Sequence, residues 1–569
     1  MDPSHDVIRE GGAPGEPTQG TQGIKGGLGR RFNTSFKTII NHAVKHTGVG
    51  IVCAVAYFDP GNWGVDLQAG SEFGYKLLFV VLLSGIFAVF LQILASRLGC
   101  VTGLDLASHC RLLLHSRRKH TLIYRWVLLY PLYVLSEAAI IATDLAELLG
   151  SAIALCLLFP RLPLWGGVLI TASDVLILLA LKDPLGGRPV RMFEILIGIL
   201  VFTVLVCMAV IIAQVGVNWG DAFDGYIPSK TLFQSGGLYT SIGIIGATVM
   251  PHSIFLGSAL ATQDRVSPTP DKLVQTDSTS TVDQSINSSS TSTTSRFGIK
   301  KTLISYISDL KERFISIFRV DSLQGKMELR SHAEHENNSY AFVRAHVYHG
   351  MIDIAISLLG LAVVINSLIL ILASAVFHYG AGKDSQGPAS LFDAYALLKQ
   401  IVGQGAATCF ALALLASGQS ASIVATMAGQ TVSEGFLRWR ISPIMRRVIT
   451  RSLGLIPSMV VAIAIGRNGV DALLVASQVA LSIVLPFIIF PLLYLTASKE
   501  VMTVMKPRIP PSVESDKSQE RGDGGDIEIA METVDFSNHR IVVVIGWLLW
   551  LVIVAANVYA IVSLGLGEG

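Results

Sequence analysis

Two apolar runs carry polar side chains where hydrocarbon should be. The first reads VGIVCAVAYFDPGNWGVDLQ and holds Asp59 and Asn62 on either side of a Pro60–Gly61 pair; the second reads SIGIIGATVMPHSIFLGSAL and holds Met250 and His252 around Pro251. A charged carboxylate at the centre of a membrane helix is costly and is retained where it is paired or functional. Asp59 offers charged oxygen, Asn62 neutral oxygen and Met250 a thioether. Where Pro and Gly unwind a helix, backbone carbonyls near Ala56 and Ala247 become further oxygen donors. Oxygen alone suits Mg²⁺ or Ca²⁺, and sulfur moves the preference toward softer transition metals. Methionine is also a common packing residue, so Met250 alone is a weak pointer.

A second group lies in a third apolar run. Glu137 and Asp144 are seven residues apart, close to two helical turns, and share a face; Glu147 follows one turn on and about 60° round. Three carboxylates on one side of a membrane helix do not face lipid. They form either a proton path or a structural polar network, with Arg451 as counter-ion. His252 titrates near neutrality when unperturbed; it is a proton-linked group or a hydrogen-bonding one, and less readily a direct ligand. Asp66 and Gln68 read as caps or gate contacts. Asp174 and Glu194 have no assigned role beyond internal hydrogen bonding.

The elements that position these residues are membrane helices. Of the 569 residues, 51% are apolar and 15% charged, and the mean hydropathy is +0.56; a soluble chain would carry about 25% charge. Apolar runs of roughly 20 residues place spans 1 to 11 near 47–71, 76–99, 126–158, 163–181, 192–215, 237–262, 349–377, 404–430, 447–466, 471–497 and 541–566. The positive-inside rule tests that order. Of the 43 Lys and Arg, Lys76, Arg161, Lys230, Lys383, Lys399 and Arg467 fall on one side and Arg451 inside span 9; the rest lie on the other. That puts the N-terminus in the cytoplasm and the C-terminus opposite. No cleavable signal peptide is expected, and no segment addresses the chain to the plasma membrane rather than an endosomal or vacuolar one.

Spans 1 and 6 are both interrupted, and an odd separation of five spans inverts the second copy. The expectation is an all-α polytopic fold with an inverted five-plus-five repeat and a substrate site near the midplane. Its parts are a cytoplasmic tail (1–46), a first repeat (47–215) and a second (237–497). The second repeat contains a Ser/Thr-rich linker (263–298) expected to be disordered, and a helix (299–320) that lies on the inner membrane surface or packs on the bundle. A cytoplasmic loop (498–540) and span 11 with a short C-terminus (541–569) complete the chain. The six cysteines show no CxxC pairing, against a disulfide framework or zinc module. No phosphate loop, nucleic-acid patch or Ser/His/Asp constellation stands out.

DPGN (59–62), ATDLAE in span 3 (142–147) and MPH (250–252) together resemble the Nramp family of metal transporters, over residues 47–497. The resemblance implies an amino-acid-transporter-like (LeuT-type) fold, alternating access and cotransport of H⁺ with Mn²⁺ or Fe²⁺, with no resident cofactor and no enzymatic activity. Its metal ligands match Asp59, Asn62, Met250 and the Ala247 carbonyl, joined in some conformations by the Ala56 carbonyl and Gln478. Its proton-linked residues match His252, Glu137, Asp144, Glu147 and Arg451. Where many members carry a second histidine this chain has Gly257. The expected partners are divalent metal ions, protons and the lipid bilayer, with regulatory proteins at the cytoplasmic tail and loops. Competing functions are a hard-cation or amino-acid carrier on the same fold and a metal sensor. Met250 argues against the first and Asp59 against the second; the short tails leave no output domain for the third.

Overall fold

A computed structural model describes residues 48–117, 119–174, 191–234, 236–265, 331–380, 390–438, 443–507 and 531–566. The tail 1–46, the linker from 266 on and the helix expected at 299–320 lie outside the described residues. A helix stands at each of the eleven expected spans, the fourth described only as far as Asp174. Among the described residues, eight helical stretches are long and apolar enough to cross a membrane. The segments Val49–Phe58 and Val448–Ala464 are apolar but shorter.

Both interruptions are present, but not where glycine content alone would put them. Span 1 is helical over Val49–Val55, tightens to a 3₁₀ turn at Ala56–Phe58, becomes extended at Asp59 (φ −63°, ψ 168°) and restarts as the helix Pro60–Phe73. Pro60 and Gly61 therefore open the second half-helix instead of being the unwound residues. Proline has no N–H to leave unsatisfied at the first helical position, and it forces the residue before it out of the helical region. Span 6 follows the same rule: Gly237–Thr248 ends, Val249 and Met250 are non-helical, and Pro251 begins the helix Pro251–Leu260. Gly243 and Gly246 lie inside the first half, not at its end.

The half-helices are held from elsewhere in the fold. Asp353 of span 7 accepts hydrogen bonds from the backbone N–H groups of Gly50 (2.7 Å) and Gly48 (3.3 Å), capping the start of span 1. Glu194 is not a span-interior residue; it sits in the first turn of span 5 and pairs with Arg265, just past span 6, at 2.7 Å. Span 3 packs along span 8 and touches the first interruption directly. A Cβ on Gly150 would stand 2.0 Å from Cβ of Pro60.

One departure from an all-helical chain falls in the expected loop 498–540. Strands Thr503–Pro507 and Met531–Asp535 pair antiparallel, from Thr503 opposite Asp535 to Pro507 opposite Met531. Arg97 of span 2 ties this hairpin down, donating to the Asn538 side chain (2.7 Å) and the Phe536 carbonyl (2.8 Å).

The Gly150 contact gives a test. Gly150→Ala forces a methyl into a rigid proline ring and should destabilise the protein by about 1–3 kcal/mol. Gly198→Ala in span 5, where a Cβ meets nothing within 4 Å, should be neutral or slightly stabilising. Thermal unfolding of the two purified variants side by side checks the difference.

Candidate metal site at the two interruptions

Asp59 is both a capping residue and the one carboxylate at the interruptions. Its Oδ1 accepts from the backbone N–H of Asn62 (2.9 Å) and from Nδ2 of the same residue (2.7 Å). This is N-cap geometry, a side-chain oxygen satisfying a first-turn donor. Asp59 is fully buried, and its Oδ2 has no hydrogen-bond partner among the described residues. Asn62 joins the two breaks. Its Nδ2 also donates to the carbonyl of Ala247 (2.9 Å), while its Oδ1 accepts weakly from Thr248 Oγ1 (3.4 Å) and Asn366 Nδ2 (3.5 Å). One carboxamide thus sits between the carboxylate of span 1 and the freed carbonyl of span 6.

Met250 is fully buried at the second break, immediately before Pro251. Ala56 opens the 3₁₀ turn next to Asp59. Gln478 of span 10 lies over Gly61, where a Cβ would come within 1.7 Å of its Nε2; its Oε1 is buried with no partner among the described residues. Of the expected ligand set, Asp59, Asn62 and the Ala247 carbonyl are joined by hydrogen bonds, and Gln478 stands over the adjoining Gly61. Among the described residues no group of three or more His, Cys, Asp and Glu is arranged to hold a metal, so the place is a mixed set of one carboxylate with neutral donors.

The second expected group divides. Arg451 of span 9 forms a buried ion pair with Asp144 and donates from its other terminal nitrogen to Ser422 of span 8. Glu147 is fully buried one turn nearer the first interruption, and Glu137 is half-buried two turns further away. His252 lies in the first turn after the second break. The Thr143 hydroxyl donates to the Ala139 carbonyl (3.0 Å), so it accepts from His252 Nδ1–H (3.2 Å). That leaves Nε2 as the ring's acceptor, buried and without a hydrogen-bond partner among the described residues. Asp66 is buried in mid-helix and is no cap; Gln68 bonds to Glu72 (3.3 Å).

Sequence reasoning missed several residues here. Asn366 of span 7 donates to the Tyr57 carbonyl (2.7 Å) and Ser417 of span 8 to the Phe58 carbonyl (2.6 Å). Two acceptors freed by the 3₁₀ turn are thereby satisfied. The signal for Asn366 was a polar residue inside the apolar VVINSLILILA (363–373). At Gly257, the position lacking the family's second histidine, Gln92 of span 2 fills the space: a Cβ there would meet Gln92 Nε2 at 1.6 Å. Gln92 accepts from Tyr57 Oη (3.0 Å) and donates to Cys53 Sγ (3.1 Å).

These features define a multi-pass integral membrane protein with a buried polar site where two interrupted helices face each other. The comparisons with known proteins give the family. The profile of the Natural resistance-associated macrophage protein-like (Nramp) family matches residues 50–294 and 326–513, and the chain belongs to that family. It is 39% identical to the manganese transporter pdt1 of Schizosaccharomyces pombe, over 93% of this chain and 87% of that one. It is 35% identical to the iron transporter SMF3 of Saccharomyces cerevisiae, over 94% and 98%. A solved manganese transporter of Eremococcus coleocola, in complex with an aromatic bis-isothiourea compound, superposes with a TM-score of 0.64 at 31% identity, covering 93% of this chain and 87% of that one.

The double role of Asp59 separates two substitutions. Asp59→Asn keeps a side-chain oxygen for the Asn62 N–H and should leave stability nearly unchanged, whereas Asp59→Ala loses the cap and about 1 kcal/mol. Chemical unfolding of both purified variants checks this; equal stability of the two would show that the cap contributes nothing.

Proposed function

We propose that this protein is a secondary active transporter that carries Mn²⁺ or Fe²⁺ across a membrane together with protons, by alternating access to the site at the two interruptions. The observation that carries the reading is the Asn62 carboxamide held between Asp59 Oδ1 and the Ala247 carbonyl. Its NH₂ stands as donor between two oxygens, the place a cation takes between anionic and carbonyl oxygen. Turning the carboxamide over presents Oδ1 instead, so Asp59, Asn62 and Ala247 all offer oxygen to one ion. Met250 supplies the thioether that disfavours Ca²⁺ and Mg²⁺, and the Ala56 carbonyl and Gln478 join as the half-helices shift. Family membership and relatives named as manganese and iron transporters support the same cargo.

Proton coupling falls to the neighbouring group. His252 Nε2 is a buried acceptor next to the site, and Glu147 lies one turn from the Asp144–Arg451 pair. Asp144 is paired with the Arg451 guanidinium, and removing one member of such a buried pair leaves an uncompensated charge. A negative-inside potential drives a divalent cation inward by about 2.3 kcal/mol per charge per 100 mV, thus about 4.6 kcal/mol; an acidic outer compartment adds to this through the protons.

Uptake of ⁵⁴Mn²⁺ into proteoliposomes, with and without a pH gradient, tests the proposal as a whole. Uptake indifferent to the gradient would remove the proton from it, and no uptake would remove transport. Asp59→Asn, stable by the argument above, should lose Mn²⁺ binding by calorimetry; affinity within twofold of wild type would overturn its role. Met250→Ala should lose some Mn²⁺ uptake, lose more Cd²⁺ uptake and gain competition by Ca²⁺. A uniform fall for all three ions would make Met250 a packing residue. Asp144→Asn should flatten the pH dependence of uptake more than it weakens metal affinity, which proton influx measured during Mn²⁺ uptake reads directly.

A further inference from the structure

Span 11 lies outside the two expected repeats, yet it reaches the site through span 10. One stripe of span 10 (Arg467–Ala497) faces the half-helices. A Cβ on Gly64 would stand 3.0 Å from the Leu474 side chain, one on Gly61 1.7 Å from Gln478 Nε2, and one on Gly246 2.6 Å from Cβ of Ser482. Leu474, Gln478 and Ser482 are four residues apart, about one helical turn each, and share a face. Gln478 thus lies against the first interruption and Ser482 against the residue before Ala247.

Ser482 is also held from behind. Its hydroxyl donates to Asn557 Oδ1 of span 11 (2.7 Å), and both side chains are buried. Asn557 Nδ2 donates to the Ile553 carbonyl of its own helix (2.9 Å). Turning the carboxamide over would set Oδ1 against that carbonyl, so the acceptor stays on the side of Ser482. Pro486 follows one turn later. It has no N–H for the Ser482 carbonyl, so span 10 lacks a helical bond at the residue that Asn557 holds. Beyond the proline, span 11 (Arg540–Leu566) grips span 10 again. Trp550 Nε1 donates to the Pro486 carbonyl (2.9 Å), and the rings of Trp547 and Trp550 pack on Phe490 with centroids 5.3 and 5.8 Å away.

We propose that Asn557 is a positioning residue for Gln478: by holding Ser482 beside the proline break, it fixes the half of span 10 that lays Gln478 against the metal site. This role rests on the reading of Gln478 as a ligand. The Gln478 side chain has little to orient it. Its Nε2 donates to Ser477 of the same helix at 3.3 Å, and its Oε1 is buried without a partner among the described residues. Its place is therefore set by where its helix runs. Packing alone does not hold that half, because Gln478, Ser482 and Asn557 line one cavity with Val65, Gln68 and Tyr239. The cavity gives the half-helix room to draw back once the tie to span 11 is gone.

Calorimetry of Mn²⁺ binding to the full-length purified protein tests this. Asn557→Leu with Ser482→Ala removes acceptor and donor together and leaves neither buried partner stranded. The pair should weaken Mn²⁺ binding about fivefold, the worth of one neutral hydrogen bond, and Asn557→Leu alone should do the same. Gln478→Ala should weaken binding too. Adding the pair to Gln478→Ala should then cost nothing further, since the tie acts through that one side chain. Affinity within twofold of wild type in the pair, with or without a lowered melting temperature, would make Asn557 a tie for span 11 alone and overturn the proposal. A further fivefold loss on the Gln478→Ala background would overturn it as well. Unchanged affinity in Gln478→Ala itself would remove Gln478 from the ligand set, and the positioning role with it.

Discussion

A helix that stops in the middle of a bilayer leaves donors and acceptors unpaired, and hydrocarbon supplies no substitutes. The centre of this protein is the solution to that constraint, applied twice. At the first stop Asp59 caps the restarting half, Asn366 and Ser417 reach in from spans 7 and 8 to the carbonyls of Tyr57 and Phe58, and Asn62 reaches across to the Ala247 carbonyl at the second stop. Satisfying the backbone requires polar atoms to converge from spans 1, 6, 7 and 8. A cation site and a repaired helix break draw on the same atoms.

The division of labour between the two polar groups follows from charge. Asp59 is hydrogen-bonded to a neutral partner, the amide groups of Asn62. Asp144 has a guanidinium. A carboxylate without a cationic partner is suited to receive a cation, and one with a built-in partner is not. The two acids lie on adjoining helices that touch at Gly150 and Pro60. His252 stands between them in kind as well as position, hydrogen-bonded to span 3 through Thr143 and attached covalently to the second break.

How far the sequence revealed this depended on whether a residue's role was local. Asp59, Asn62 and Met250 were legible because a polar or soft atom beside a proline in an apolar run is a local anomaly. The pairing of Asp144 with Arg451 was legible because a buried acid series needs a base and the spans hold few. Asn366, Ser417, Ser422, Gln92 and Asp353 were not, since each is an ordinary polar residue whose partner lies across the bundle. The misplaced breaks had a different cause: Gly243 and Gly246 suggested weakness, but the position of the stop is set by Pro60 and Pro251, which start helices more strongly than glycine ends them. The hairpin at Thr503–Pro507 and Met531–Asp535 escaped notice because five residues on each side of a polar stretch carry too short an alternation to read.

The cap on the first half-helix has a consequence for biosynthesis. Gly50 is bonded to Asp353, 303 residues later in the chain. Synthesis at about 5–20 residues per second separates the two by roughly 15–60 s. Throughout that interval the half-helix Val49–Val55 stands without its cap, and Tyr57 and Phe58 without Asn366 and Ser417. The N-terminal repeat must therefore reside in the membrane in a provisional form, and its central break can be finished only after span 8 has been inserted. A chain released early would leave the ribosome with its centre unmade and the amides of Gly48 and Gly50 without their acceptor.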